Sequence, residues 1–98
     1  MEEKAKRFMS KIRQHMKISG RVQGVGFRYR AKYVASSMGL TGWVKNEWDK
    51  TVEMEVQGTI DQLNHMLTLI NQGAYIQIDN VERKEIPCVE DEKGFHVR

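Results

Sequence analysis

The sequence predicts an α+β sandwich in which two helices lie on one face of an antiparallel sheet. Three observations predict it. In several short segments apolar residues recur at every second position, the period of a half-buried strand. In two longer segments they recur three and four apart, the period of a helix with one buried side. Glycines follow both helical segments, so the punctuation agrees with the period.

The elements follow in order. Residues 1–13 are mostly polar and predict at most a short helix, with Phe8, Met9 and Ile12 on one side. His15 to Ser19 alternates, with Met16 and Ile18 on one face, and reads as a strand. A loop carrying Gly20, Gly24 and Gly26 comes next. From Phe27 the period changes: Phe27, Ala31, Val34, Ala35 and Met38 form a helical stripe that stops at Gly39. Thr41 to Trp48 and Thr51 to Gln57 read as two strands of a hairpin, the second with Val52, Met54 and Val56 alternating with Glu53, Glu55 and Gln57. Trp48 is expected to act as a packing anchor. The second helix has a clear start: Thr59 can cap it, and Gln62 stands three residues on, as a capping box requires. Ile60, Leu63, Met66, Leu67 and Ile70 make its apolar stripe, and Gly73 ends it. Ala74 to Ile86 reads as a long strand that Pro87 stops. Cys88 to Lys93 is a charged connection, and Gly94 to Arg98 gives a short extra strand around Phe95 and Val97. The order is βαββαβ, the ferredoxin-like arrangement. That fold hosts many functions and decides little about activity by itself.

Composition narrows the class. The chain has 98 residues, enough for one domain with its own core. It has no apolar run long enough to span a bilayer, and its first residues lack the apolar segment of a signal peptide. Cys88 is the only cysteine, so no internal disulfide framework is expected and a cytoplasmic location is the default. The net charge is +3. It resides in residues 1–14, where Lys4, Lys6, Arg7, Lys11 and Arg13 face only Glu2 and Glu3. The remainder is balanced. A neutral body argues against a nucleic-acid-binding domain. The basic extension reads most simply as solvated chain.

The two helix starts differ in a way that bears on chemistry. Thr59 and Gln62 satisfy orphan amides at the second. The first opens from Gly24-Val25-Gly26-Phe27 with no Ser, Thr, Asp or Asn before it. Its first N–H groups need partners, and the helix dipole favours an anion there. Arg28 lies at the same place, and a guanidinium can hold two phosphate oxygens at once. A tight glycine turn with no ligand would look the same in sequence. The glycine spacing matches neither the dinucleotide nor the P-loop fingerprint.

The stretch Gly20-Arg-Val-Gln-Gly-Val-Gly-Phe-Arg28 resembles the signature of the acylphosphatase family. Gly42-Trp43-Val44-Lys45-Asn46 resembles the family's second signature, with Val52 and Gly58 where that motif continues. The resemblance covers roughly residues 15–98 and leaves 1–14 as an extension. It implies hydrolysis of acyl phosphates to a carboxylate and phosphate. Arg28 would bind the phosphoryl group together with the backbone cradle of Gln23, Gly24, Val25, Gly26, Phe27 and Arg28. Asn46 would orient the attacking water. No metal and no cofactor is expected, and the partner is a small acyl phosphate, with no nucleic acid and no membrane; a monomer is expected. One departure stands out: the family usually has glycine four residues after the asparagine, where this chain has Lys50. Either Lys50 adopts a left-handed conformation, at a cost of about 1 kcal/mol, or the hairpin is shaped differently.

Other chemistries fit less well. Cys88 precedes an acidic run, which disfavours a thiolate nucleophile. Asp49-Lys50-Thr51 looks like a phosphorylated-aspartate motif, but in a chain far too short for an ion pump. His15, His65 and His96 lack metal-ligand spacing. A non-catalytic binding module is the alternative class. The presence of both Arg28 and Asn46 speaks for catalysis instead.

Overall fold

The computed structural model describes residues 9–98, which form seven elements. They are β1 (Ile12–Arg21), α1 (Phe27–Ser37), β2 (Thr41–Asn46), β3 (Val52–Gly58), α2 (Ile60–Asn71), β4 (Gln77–Ile86) and β5 (Phe95–Val97). The helix expected over residues 1–13 lies largely outside the described residues. Where the two overlap, Met9 is helical, whereas Ile12 and Arg13 are strand. The sheet order is β4-β1-β3-β2-β5. Four strands pair antiparallel, as expected. The fifth, β5, runs parallel to β2, so the sheet is mixed. Among the described residues no helix is long and apolar enough to cross a membrane.

Both helical stripes are buried as their periods predict. Phe27, Ala31, Val34 and Ala35 of α1 and Leu63, Met66 and Ile70 of α2 meet Met16, Ile18, Val44, Val52, Met54 and Val56 from the sheet. Each of the larger of these side chains contributes about 2 kcal/mol through burial, and each alanine less than half of that. Thr59 and Gln62 form the predicted capping box, each side chain bonded to the other's backbone N–H. At the other end of α2, Arg30 reaches across from α1 and donates to the carbonyls of Leu69 (2.6 Å from Nη2) and Ile70 (3.1 Å from Nε). A Cβ on Gly73 would lie 2.9 Å from Arg30 Cδ, so glycine there makes room for this cap. The chain turns at 74–75, and β4 begins at Gln77 rather than at Ala74.

The sheet face away from the helices is polar. Register sets Arg13 opposite Gln57, His15 opposite Glu55 and Lys17 opposite Glu53, so unlike partners meet across the strands. The segment between β4 and β5 folds onto one end of this face. Gln57 exchanges two hydrogen bonds with the backbone of Val89, and Arg13 pairs with Glu92 at 2.8 Å. Arg13 is only 1% exposed. The connection that reads in sequence as a charged, solvated run is therefore a strap over a buried guanidinium.

Candidate active site

The cradle is built by the end of β1 and the start of α1. Val22 is buried and anchors the loop. Gly24 and Gly26 then take φ values of 72° and 78°, the left-handed region that glycine enters without strain. A Cβ at either would meet nothing within 4 Å, so it is the backbone conformation, not crowding, that requires glycine. Gly26 is the N-cap of α1, with no side chain bonded there and no acidic residue in the first turn. The first bond to it runs from Arg30 N to Gly26 O at 3.0 Å, so the amides ahead of Arg30 have no partner within the helix. The contrast with the self-capped α2 is the one read from sequence.

A cavity of about 120 Å³ opens at this helix mouth, lined by Val22, Gly24, Gly26, Phe27, Arg28, Tyr29 and Asn46. The structure thus brings Arg28 and Asn46 to one cavity, although they stand on different elements. Gln23 and Val25, expected in the cradle, are not among the lining residues. The side chain of Val25 packs against the core. One N–H of Arg28 donates to the carbonyl of Arg98 at 3.1 Å, and among the described residues the rest of its fork has no protein partner. Arg98 in turn lies over the ring of Trp43, 4.4 Å from its centroid.

Asn46 is the last residue of β2, paired with Val52 at the end of the ladder. The turn beyond it closes through Lys50 N to Glu47 O (3.2 Å) and Glu47 N to Thr51 O (2.9 Å). Lys50 has φ 71°, so the left-handed alternative is the one realised. Asp49 accepts from the Thr51 hydroxyl (2.6 Å) and N–H (3.1 Å), and these bonds hold its carboxyl below the usual range. The Asp-Lys-Thr sequence is thereby accounted for as turn chemistry. Trp48, expected to pack, is 93% exposed at the tip.

Two carboxyls beside the turn, Glu47 and Glu53, act on one another. The pKa of Glu47 is lowered and that of Glu53 raised, each chiefly by the neighbouring carboxyl, with Lys45 near both at 3.4 and 3.8 Å. Neither lines the cavity. His15 is held by Glu55 at 2.9 Å, His96 by the Lys93 carbonyl at 2.7 Å, and Cys88 is exposed. Among the described residues no group of three or more His, Cys, Asp or Glu could hold a metal ion.

Sequence reasoning missed one residue here, Tyr29, and the side-chain role of another, Gln23. Tyr29 lines the cavity while 70% exposed, and its place next to Arg28 on a helix was the available signal. The side chain of Gln23 donates to the carbonyls of Glu47 (2.7 Å) and Thr51 (2.9 Å). Its partners are 24 and 28 residues away, and no local pattern announces them.

Comparison with known proteins bears on the family and the fold. The family model described as Acylphosphatase matches residues 14–97. The chain is 42% identical over 83 residues to an acylphosphatase of Clostridium acetobutylicum, covering 84% of this chain and 91% of that one. It is 44% identical over 88 residues to an acylphosphatase of Geobacillus kaustophilus, covering 87% and 92%. The crystal structure of acylphosphatase from Bacillus subtilis superposes with a TM-score of 0.79 at 30% identity, over 89% of this chain and 98% of that chain. With its two signatures meeting at one cavity and its likeness to these proteins running nearly end to end, the chain belongs to the acylphosphatase family.

Proposed function

We propose that the protein hydrolyses the carboxyl–phosphate bond of small acyl phosphates without a metal, releasing a carboxylate and inorganic phosphate. The observation that carries this reading is the convergence of Arg28, an uncapped helix start and Asn46 on one small cavity. In this reading the phosphoryl oxygens sit on the loop amides and the Arg28 fork. Asn46 accepts a hydrogen bond from water through its side-chain carbonyl and aims the water's oxygen at phosphorus. The new P–O bond forms as the P–O bond to the acyl group breaks. The electron pair leaves on the carboxylate, and the water's proton passes to phosphate or solvent.

Such sparse equipment suits the reaction. A carboxylate leaves without being protonated, since its conjugate acid has a pKa of about 4 to 5, by analogy with side-chain carboxyls. The transition state is loose, so water needs placement more than deprotonation. Charge stabilisation by donors already in position is what remains, and a guanidinium with oriented amides supplies it. The acyl group extends past Tyr29, the exposed wall. We take the protein to act as a cytoplasmic monomer on a freely diffusing substrate. Purified protein is expected to hydrolyse acetyl phosphate and benzoyl phosphate at full rate in excess EDTA. Activity that appears only on adding a divalent cation would refute the mechanism.

A further inference from the structure

We propose that Gln23 is a positioning residue whose side chain fixes Asn46 against the phosphate cradle. The inference rests on the roles given above to the cradle and to Asn46. Gln23 belongs to the cradle loop, between buried Val22 and Gly24. Its Nε2 donates to Glu47 O at 2.7 Å and to Thr51 O at 2.9 Å. Both partners are carbonyls, so it is the amide nitrogen that must face them. Glu47 directly follows Asn46, and Thr51 directly precedes its ladder partner Val52. One side chain thus clamps both strands of the hairpin at the point where regular pairing stops, and joins them to the loop that holds phosphate.

The brace is suited to its place. Beyond Asn46 the hairpin is a turn through left-handed Lys50, with an exposed Trp48 at its tip. Lys17 also reaches the turn, pairing with Asp49 at 3.3 Å, but this is a surface ion pair and adds little rigidity. The two bonds from Gln23 are uncharged, partly buried and fixed in direction. Glutamate would present oxygen to two carbonyl oxygens, and asparagine is one methylene too short. Small misplacement of a reacting group lowers rate far more than it lowers binding.

The test is a double-mutant cycle. Gln23→Met keeps length and bulk without donors; Gln23→Ala serves as the second variant should methionine perturb folding, with melting temperature measured for each. Gln23→Met is expected to lower kcat for benzoyl phosphate about tenfold and to change inhibition by inorganic phosphate less than twofold. In an Asn46→Ala background the same substitution should cost less than a further twofold, because the group it positions is gone. Lys17→Ala should leave kcat within twofold of wild type. Additive losses in the cycle, an unchanged kcat, or weakened phosphate inhibition in step with kcat would overturn the role of Gln23 alone. An Asn46→Ala variant with full turnover would instead remove the reading of Asn46, and this inference with it.

Discussion

At the scale of single residues, the proposed mechanism divides the work of the site between a charged group and a neutral one. Arg28 offers a guanidinium fork at the helix mouth, with one N–H steadied by the Arg98 carbonyl. Asn46 offers an uncharged amide to the same cavity. In the proposed mechanism, removing the fork takes away ground-state binding and transition-state stabilisation together. Arg28→Ala is therefore expected to lower kcat/KM by roughly 10² to 10³ and to weaken phosphate inhibition in parallel. Asn46→Ala is expected to lower kcat by a similar factor while phosphate still inhibits. Steady-state kinetics with phosphate as competitor checks both, and equal loss of phosphate binding in the two variants would contradict the division. Both residues are legible in sequence because they sit inside recognisable motifs. The side-chain role of Gln23 is not, since its partners lie on a hairpin that only folding brings near.

At the scale of elements, each helix start and each turn states its own chemistry. The capping box of α2 needs only residues three apart, and it forms as read. The uncapped start of α1 is equally local. The β2–β3 turn is where sequence left two alternatives. It resolves as an i→i+3 turn followed by a left-handed residue, the pattern hairpins use with glycine in that place. Lys50 carries the strain instead. Lys50→Gly is expected to stabilise the protein by about 1 kcal/mol, raising the melting temperature by about 4 °C. Calorimetry at neutral pH measures it, and a fall would show that the unfolded-state entropy of glycine outweighs the relief. Trp48 corrects the expectation of packing: the tight turn carries it at its tip, away from the core, and it is exposed.

At the scale of the whole molecule, the strap between β4 and β5 links the polar sheet face to the site. Arg13 holds Glu92, and the chain then enters β5, which pairs with β2 and is followed by Arg98, whose carbonyl steadies Arg28. Burial opposes the ionisation of Glu92. Hydrogen bonds from Arg13 and Thr41 and the charge of Arg13 outweigh it, so the carboxyl lies below its ordinary 4.5. A depressed folded-state pKa contributes stability that is present above the ordinary value and is lost as pH falls through the folded one. Wild type should therefore lose stability from about pH 5 downward, and Glu92→Gln should show a shallower acid loss. At pH 7 the same variant should be less stable by about 2 kcal/mol, because a buried guanidinium loses a charged partner. Urea titrations across that range test both statements; parallel pH profiles for the two proteins would refute the linkage.

The sequence by itself determined the elements, their order, the helix faces that go inward, and the identity of Arg28 and Asn46 as candidates. All of these depend on period, capping or motif, and each is settled by residues a few positions apart. Only the tertiary structure decided that β5 runs parallel to β2, that Arg30 caps α2, that Arg13 is buried under a strap, and that Gln23 braces the hairpin. These rest on hydrogen bonds between residues some 24 to 79 positions apart. A polar side chain reads alike in sequence whether it faces water or a distant carbonyl, because its partner is chosen by how layers pack and not by its neighbours along the chain.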